Sequence, residues 1–494
     1  MTSVAPLGEV PPVRAIGTPR LTLGLDSGRG SRLDFLTHQA LHGDMPRLNV
    51  DDLMTMAGLA DLRGRGGAGF PFARKLQAAV RSAERRGTPV RVVVNATEGE
   101  PAAAKDLMLL TRAPHLILDG AELTARALNA PEITIGIACG EAGEKSLLDA
   151  IDERDSDIAV QVVRMPDRFI SGEGGSLVRG INGQVPIPPG RKVRASDRGV
   201  DGLPTVLSNA ETYAQLSLVA ALGADQYATV GLTSEPGTVL LSVSGSAKAP
   251  AVVECPSGTP LSDVLVACHA PVGRGVLMGG YHGKWLRPDA VHEAVVSRAG
   301  MEAVGSALGA GVVVPLGDDS CPLEETALVL HYMARESAMQ CGPCFRGLPE
   351  LARAFDALVD GEADPEDVQR AAAIGNRRGA CSHPDGTARM ALSALEAFPD
   401  DVAAHRYDGG CGTSRPGVLP LPKDDSGRRL VLDWSRCDGH GLCARLAPEL
   451  IQLDRNGFPE SPTVDVPVRS EDAAAKAVQM CPSLALRLES PPPL

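Results

Sequence analysis

The sequence predicts a multidomain α/β protein. Buried-strand runs alternate with helical patterns through the first half, 494 residues exceed one ordinary core, and hydrophobic residues at 44% suffice for several. A prior of roughly 100 to 200 residues per domain suggests three or four units.

Residues 1–50, rich in Gly, Pro and Arg with weak periodicity, read as a loosely structured N-terminal extension. Helical spacing begins in "DDLMTMAGLADL" (51–62) and leads into the glycine cluster "RGRGGAGF". A second helix pattern, "FARKLQAAVRSAERRG", ends at Gly87, and "VRVVVN" (90–95) is a buried strand running into "ATEGEPAAAKD". Helix "HLILDGAELTARALNA" and strand "EITIGIAC" continue the alternation, which makes 51–235 an α/β domain. In 236–318, "GTVLLSVSGSAKAPAVVECPSGTPLSDVLVAC" reads strand, turn, strand, short helix, a β-grasp-like pattern. Residues 319–408 are helical, through "CPLEETALVLHYMARESAM", "LPELARAFDALVDG", "PEDVQRAAAIGN" and "TARMALSALEAFPDDVAAH". A Gly, Pro and Ser-rich linker (409–427) then leads to a small final module, 428–494, that begins and ends in strand-like runs.

No run of about 18 apolar residues occurs, and the start lacks a basic segment followed by an apolar one, so a cytoplasmic chain without direct membrane insertion is expected. Sixty-one acidic against 48 basic residues give a net charge of -13, which argues against nucleic acid as a partner. Eleven cysteines in such a chain suit metal ligation better than a disulfide framework. Three of them, Cys437, Cys443 and Cys481, fall in the final module, the last followed by proline. Thiolates at this spacing point to an iron-sulfur cluster, and a disulfide cannot account for three.

"GRGGAG" (64–69) satisfies G-x-G-x-x-G, but a helix pattern precedes it and the next strand ends at Asn95 rather than at an acidic residue. A standard dinucleotide fingerprint is therefore not expected, although glycines opening a helix still offer N–H groups to a phosphate.

Two resemblances follow from these motifs. "CDGHGLCARLAPELIQLDRNGFPE" followed by "CPSLALRL" resembles the single-cluster bacterial ferredoxins that supply electrons to monooxygenases. The resemblance implies a cluster on Cys437, Cys443 and Cys481; His440 stands where that family has a fourth cysteine, so the cluster is [3Fe-4S], or [4Fe-4S] completed by His440 or water. "LRGRGGAGFP", "VVVNATEGEP" with Lys105 and Asp106, "HLILDGAEL", "FISGEGGSL" and "GLPTVLSNAETYA" occur in the order found in the flavoprotein subunit of respiratory complex I and its relatives in NAD-reducing hydrogenases and formate dehydrogenases. This second resemblance covers roughly 50–408. It implies a Rossmann-like FMN-binding α/β domain, a β-grasp-like (SLBB) domain and a helical iron-sulfur domain, ahead of a small α+β ferredoxin domain.

By the same resemblance FMN would lie on Gly64, Gly66, Gly67 and Gly69, with Asn95, Glu98, Glu173, Ser208 and Asn209 around it, and NADH would lie near Lys75 and Glu100. Cys341, Cys344 and Cys381 would hold a second iron-sulfur cluster; Ala338 replaces the family's first cysteine, with Cys321 or His383 as outside ligands. Cys139, Cys255, Cys268 and Cys411 show no ligating spacing and read as incidental thiols. Further departures are Thr97 for an acid, Ser171 for a cysteine, Gly174 for a glutamate, and Ala78 and Arg194 for the aromatics that sandwich the nicotinamide cofactor; Phe70 and Phe72 are substitutes. Each lost stacking pair costs about 0.5 to 1.5 kcal/mol.

The implied function is electron transfer from NADH or NADPH through FMN to the fused ferredoxin, and on to a soluble redox partner such as a monooxygenase or another oxidoreductase subunit. The alternative is a non-enzymatic electron-transfer or assembly subunit with a degenerate flavoprotein scaffold and an active ferredoxin. Thr97, Gly174, Ala78 and Ala338 favour the alternative; the glycine loop, Asn95, Glu98 and Glu173 favour the enzyme.

Overall fold

A computed structural model describes residues 10, 12–25, 32–190, 193–413, 417–422, 428–448, 450–466 and 470–489. The chain forms two compact units, Met1–Leu421 and Pro422–Leu494. Among the described residues no helix is long and apolar enough to cross a membrane.

After strand β1 (Val13–Ala15), the first unit builds a parallel sheet from β2 (Arg91–Thr97), β3 (Glu132–Ala138), β4 (Ala159–Arg164) and β5 (Thr205–Asn209), in the order β4-β3-β2-β5. Val92, Val93 and Val94 of β2 are all buried, because helices cover both faces and the run need not alternate. Helix Phe72–Arg86 turns Phe72, Leu76, Ala79 and Ala83 inward at intervals of one helical turn. It stops at Gly87, whose left-handed backbone (φ 60°) lets its N–H bond to Ala83 O and Glu84 O. Helix Pro114–Ala127 crosses helix Ala210–Leu222 at Gly120, where a Cβ would sit 2.0 Å from Tyr213 O. The Tyr213 hydroxyl in turn donates to Val93 O (3.2 Å) and Val206 O (3.1 Å), fixing the helix to β2 and to the edge strand β5.

From β2 the chain proceeds outward through β3 and β4, then returns to lay β5 on the other side of β2. This reversal puts the topological switch point at the carboxyl ends of β2 and β5, where Asn95 and Asn209 lie opposite each other in register. Open parallel sheets bind ligands in the crevice at such a point.

A hairpin of β6 (Gly231–Leu232) and β7 (Glu235–Pro236) leads to a second sheet made of β8 (Thr238–Val243), β9 (Ala251–Pro256), β10 (Gly275–Met278), β11 (Lys284–Leu286) and β12 (Val312–Leu316). β8 and β9 are antiparallel, β12 runs parallel to β8, and helix Leu261–Ala267 buries Leu261, Val264 and Leu265, as the β-grasp-like pattern implies. The N-terminal extension departs from expectation. β1 pairs in parallel with β9, Val13 opposite Val252, and the Glu254 carboxylate accepts from Arg20 N (3.0 Å), Leu21 N (2.9 Å) and Thr22 N (2.9 Å). Helix Phe35–His42 follows, capped by Asp34. A three-residue strand is too short to reveal a period, which is why the sequence reads as loose there.

Helices Pro322–Arg335, Leu348–Val359, Pro365–Gly375, His383–Ala397 and Pro399–Tyr407 complete this unit. Each carries proline in its first turn, where the missing N–H costs nothing and φ is already helical. Part of the expected linker is fixed: Glu325 accepts from Val418 N and Leu419 N, both at 2.9 Å, Tyr281 donates its hydroxyl to Pro420 O, and Leu419 is buried. Residues 414–416 and 423–427 of that stretch lie outside the described residues.

The second unit is an antiparallel sheet, β14-β13-β15, of β13 (Arg428–Leu432), β14 (Thr463–Val466) and β15 (Leu486–Glu489). Leu430, Leu432, Leu450, Ile451, Val466 and Leu486 form its core.

The crossing at Gly120 admits no side chain. Gly120→Val is expected to destabilise the chain by about 1 to 3 kcal/mol or more, whereas Gly58→Ala, on helix Val50–Leu59 with open space around it, should stabilise by about 0.5 to 1 kcal/mol. Thermal melts followed at the helical circular-dichroism band compare the two.

Candidate functional site

The loop 64–70 closes over the switch point. Gly64 N donates to Phe70 O (2.9 Å) and Phe72 N to Leu62 O (2.8 Å), so the glycines form a tight turn directly before helix Phe72–Arg86. Gly67 (φ 100°) and Gly69 (φ 59°) have backbones that favour glycine. At Gly66 a Cβ would come within 3.3 Å of Asn209 Cβ, and Gly67 faces Gly309 and Ala310 across the crevice at 3.7 Å. Gly64 backs onto the Phe70 carbonyl. Asn209 Oδ1 caps helix Ala210–Leu222 through Glu211 N (3.1 Å) and also accepts from Lys105 Nζ (3.1 Å). Asn95 donates to Gly172 O (3.0 Å) and accepts from the Thr97 hydroxyl (2.5 Å). Lys75 reaches the end of β5, donating to Leu207 O (2.5 Å) and Ser208 Oγ (2.9 Å); burial lowers its pKa to about 8.

Gly66, Gly67, Lys75, Asn95, Ser208 and Asn209 thus gather at one crevice. The three glutamates are held by backbone amides. Glu98 accepts from Asp106 N (3.2 Å) and Leu107 N (2.9 Å) at the start of helix Lys105–Arg112, and burial, reinforced by Asp106, raises it to about 7. Glu100 accepts from Tyr281 N (2.7 Å), between β10 and β11, and burial raises it to about 8. Glu173 caps helix Gly174–Ile181 through Ser176 N (2.9 Å), and burial raises its pKa as well.

Ala78 and Arg194 are exposed and present no ring. Phe72 cannot replace one. It is fully buried, edge-on to Tyr213 with ring centroids 5.9 Å apart, on the same inward stripe as Leu76 and Ala79. Phe70 lies off that stripe, 45% exposed, with the Arg74 guanidinium 5.8 Å over its ring.

The helical region brings three thiols together beside this crevice. Cys341 Sγ and Cys344 Sγ are 3.5 Å apart. Burial opposes ionisation of Cys341, but the amides of Ala380 and Cys344 outweigh it and lower its pKa. Cys344 is raised to about 12 by burial, with Cys341 and Cys381 adding to the effect. Cys381, raised first by burial, also feels the charge of Glu173. Glu336 joins the crevice wall through Phe169 N (3.0 Å) and Arg168 (3.5 Å). Next to Ala338, the Ser337 side chain is buried and faces Cys344.

Neither outside ligand suggested by sequence is available. His383 places one ring nitrogen 3.2 Å from His282 and the other 2.8 Å from Met333 O. Cys321 instead joins His405 and Cys411, so Cys411 is not incidental. The sequence separation of 84 between Cys321 and His405 leaves no local spacing by which sequence could find this group.

In the second unit, Cys437, Cys443 and Cys481 are all partly buried against one core. Burial raises the pKa of Cys443, and Cys437 and Cys481 lie close enough to add to the effect. Gly439 (φ 69°) turns the loop under Phe458, and Ala485 N points at Cys481 Sγ (3.4 Å). His440 is exposed.

Glycines that leave little room for a Cβ at Gly172, which is 3.1 Å from Thr97 O in that direction, and at Gly66, 3.3 Å from Asn209 Cβ, shape a cradle that fits a flat, phosphate-bearing cofactor. Each set of three soft thiolates fits an iron-sulfur cluster. Cradle and thiolates together define the chain as an iron-sulfur flavoprotein.

Comparison with known proteins agrees. Residues 58–218 match the Nuo51 FMN-binding domain, 324–405 the NADH-ubiquinone oxidoreductase-F iron-sulfur binding region, and 430–488 the 4Fe-4S single cluster domain. An NADH-quinone oxidoreductase subunit of Rhizobium meliloti is 27% identical over 402 residues, 76% of this chain and 93% of that protein. The NADH-quinone oxidoreductase subunit of the same kind from Aquifex aeolicus is 28% identical over 396 residues, 75% of this chain and 89% of that protein. Among solved structures, an NAD+-reducing [NiFe]-hydrogenase in the air-oxidized state superposes with a TM-score of 0.65 at 25% identity, over 73% of this chain and 64% of that one. The chain thus joins a Nuo51-type FMN-binding domain to an NADH-ubiquinone oxidoreductase-F type iron-sulfur region and a C-terminal single-cluster domain.

Glu100 supplies a pH test. Its carboxyl titrates near 4.5 when unfolded and near 8 when buried, so the folded chain keeps a proton that the unfolded chain releases between those values. The associated stability is full below about pH 4.5 and is lost as the pH rises through about 8. Between about pH 6 and 9 the melting temperature of the wild type should fall further than that of Glu100→Gln; equal falls would refute the assignment.

Proposed function

We propose that this chain oxidises NADH or NADPH at an FMN in the switch-point crevice and delivers the electrons through its thiolate-held clusters to a redox partner. The observation that carries this reading is adjacency: Glu336 and Gln340, just ahead of Cys341, bond to the crevice side of the chain, Glu336 accepting from Phe169 N (3.0 Å) and Gln340 donating to Pro188 O. Bound FMN supplies the exchange between two-electron and one-electron chemistry.

The residues have separable tasks in this reading. Gly64, Gly66, Gly67 and Gly69 let backbone approach the cofactor, and Lys75 brings a cation to the end of β5 below about pH 8. Asn95 and Asn209, each fixed by hydrogen bonds to neighbouring elements, orient the cofactor without moving themselves. Cys341, Cys344 and Cys381 would hold one cluster, with a non-cysteine ligand in place of the cysteine that Ala338 replaces. Cys437, Cys443 and Cys481 hold the other. The match to a 4Fe-4S domain supports four irons there, completed by water or the exposed His440.

Trp434, Met480 and Leu484 are exposed close in sequence to Cys437 and Cys481, which supports docking of a monooxygenase or another oxidoreductase subunit against the ferredoxin unit. The names of the relatives, a quinone oxidoreductase subunit and an NAD+-reducing hydrogenase, support NADH as donor and partner subunits as acceptors. The proposed setting is the cytoplasm, which keeps eleven free cysteines reduced.

A second reading rests on one observation: exposed Ala78 and Arg194 offer no ring, and Phe72 is locked in the core. On it the first unit is a scaffold and only the ferredoxin carries electrons. Anaerobic purification of the full chain, followed by visible spectroscopy before and after adding NADH, separates the two. The enzyme reading expects a flavin band that bleaches with NADH, then loss of iron-sulfur absorbance. Iron-sulfur absorbance without flavin would establish the scaffold. In Cys443→Ser the flavin should still bleach while the chain loses the iron of one cluster, measured by iron analysis.

A further inference from the structure

Cys321, His405 and Cys411 belong to neither thiolate set and have no task in the proposed electron transfer. One ligand atom from each lies within 4.8 Å of the others, and Cys321 Sγ is 3.2 Å from His405 Nε2. The three residues come from two places in the chain. Cys321 is the N-cap of helix Pro322–Arg335, His405 lies in the last turn of helix Pro399–Tyr407, and Cys411 follows just beyond it.

The imidazole is held in the tautomer that a metal requires. His405 Nδ1 is 2.7 Å from Val359 O; a carbonyl only accepts, so Nδ1 carries the proton and Nε2 turns its lone pair to the thiols. Cys321 and His405 are buried and Cys411 is half-buried, which leaves one open side. Thr413 Oγ1 lies there, 3.0 Å from Cys411 Sγ. A tetrahedral zinc, with Zn–S about 2.3 Å and Zn–N about 2.0 Å, separates its ligand atoms by roughly 3.5 to 3.8 Å. The observed spacings need only small side-chain rotations to meet this.

We propose that Cys321, His405 and Cys411 bind a zinc ion whose fourth ligand is water, and that the ion pins the segment 411–421 to the helical region. Binding releases the two thiol protons. The ion ties the start of the region's first helix to the end of its last and to the chain beyond. The Glu325 carboxylate continues the same seam, holding Val418 N and Leu419 N. Two thiolates with one imidazole, closed on three sides, select zinc over the oxygen-seeking calcium and magnesium.

The test uses the full chain, purified anaerobically with its flavin and iron. Metal analysis should find one zinc per chain, and zinc-edge X-ray absorption should show two sulfurs near about 2.3 Å with lighter ligands near about 2.0 Å. His405→Gln and Cys411→Ser should each lose zinc to a chelator about tenfold faster or more, with iron and flavin contents unchanged, and should open 409–421 to limited proteolysis. Unchanged iron and flavin show that the variants fold. Three results would overturn the proposal: no zinc in the wild type, zinc retained in a Cys321→Ser, Cys411→Ser double variant, or a native Cys321–Cys411 disulfide detected by mass spectrometry.

Discussion

One buried ammonium organises the crevice. Lys105 is 1% exposed, and its Nζ meets Asp106 (2.9 Å), Glu211 (3.2 Å) and Asn209 Oδ1 (3.1 Å). Burial alone would lower its pKa, but Asp106, Glu211 and Glu98 outweigh burial and raise it, so the charge stays. An ion left unpaired at such depth costs about 3 to 5 kcal/mol. Helix Lys105–Arg112, the end of β5 and the start of helix Ala210–Leu222 must therefore keep their relative places, and Asn95, Ser208 and Asn209 are displayed from that fixed frame.

The same frame explains why carboxylates near the crevice are held by amides. Glu98 spends both oxygens on the helix that carries Lys105, and Glu100 spends one on Tyr281 N in the hairpin opposite. Glu98 closes the loop onto the helix that follows it and Glu100 ties it to a segment distant in sequence, so the loop between β2 and helix Lys105–Arg112 is braced at two points. A crevice wall fixed in this way can accept a flat cofactor with little reorganisation, which is the condition under which a site tunes rather than merely binds.

Much of this was legible in the sequence, for identifiable reasons. The valine run of β2 and the stripe Phe72, Leu76, Ala79, Ala83 ending at Gly87 announce their elements because burial writes the period directly into residue choice. The cysteine triads are legible because a cluster demands several thiolates from short spans. What stayed hidden depends on contacts between distant segments: β1 against β9, Glu254 gathering three amides, and Cys411 beside Cys321. Phe72 is a different case, since its place on the apolar stripe already marked it as core, and that signal outranks its nearness to the glycine loop.

The second sheet ends in β1 on one side and β11 on the other, each only three residues long. An edge that short exposes too few free N–H and C=O groups to template a strand from another molecule. The longer inner strands, β8 and β9, are covered on both sides by hydrogen-bonded neighbours. Val13–Ala15 therefore serve as a selvedge: they finish the weave of the sheet, and they guard a long hydrophobic strand from pairing with a stranger.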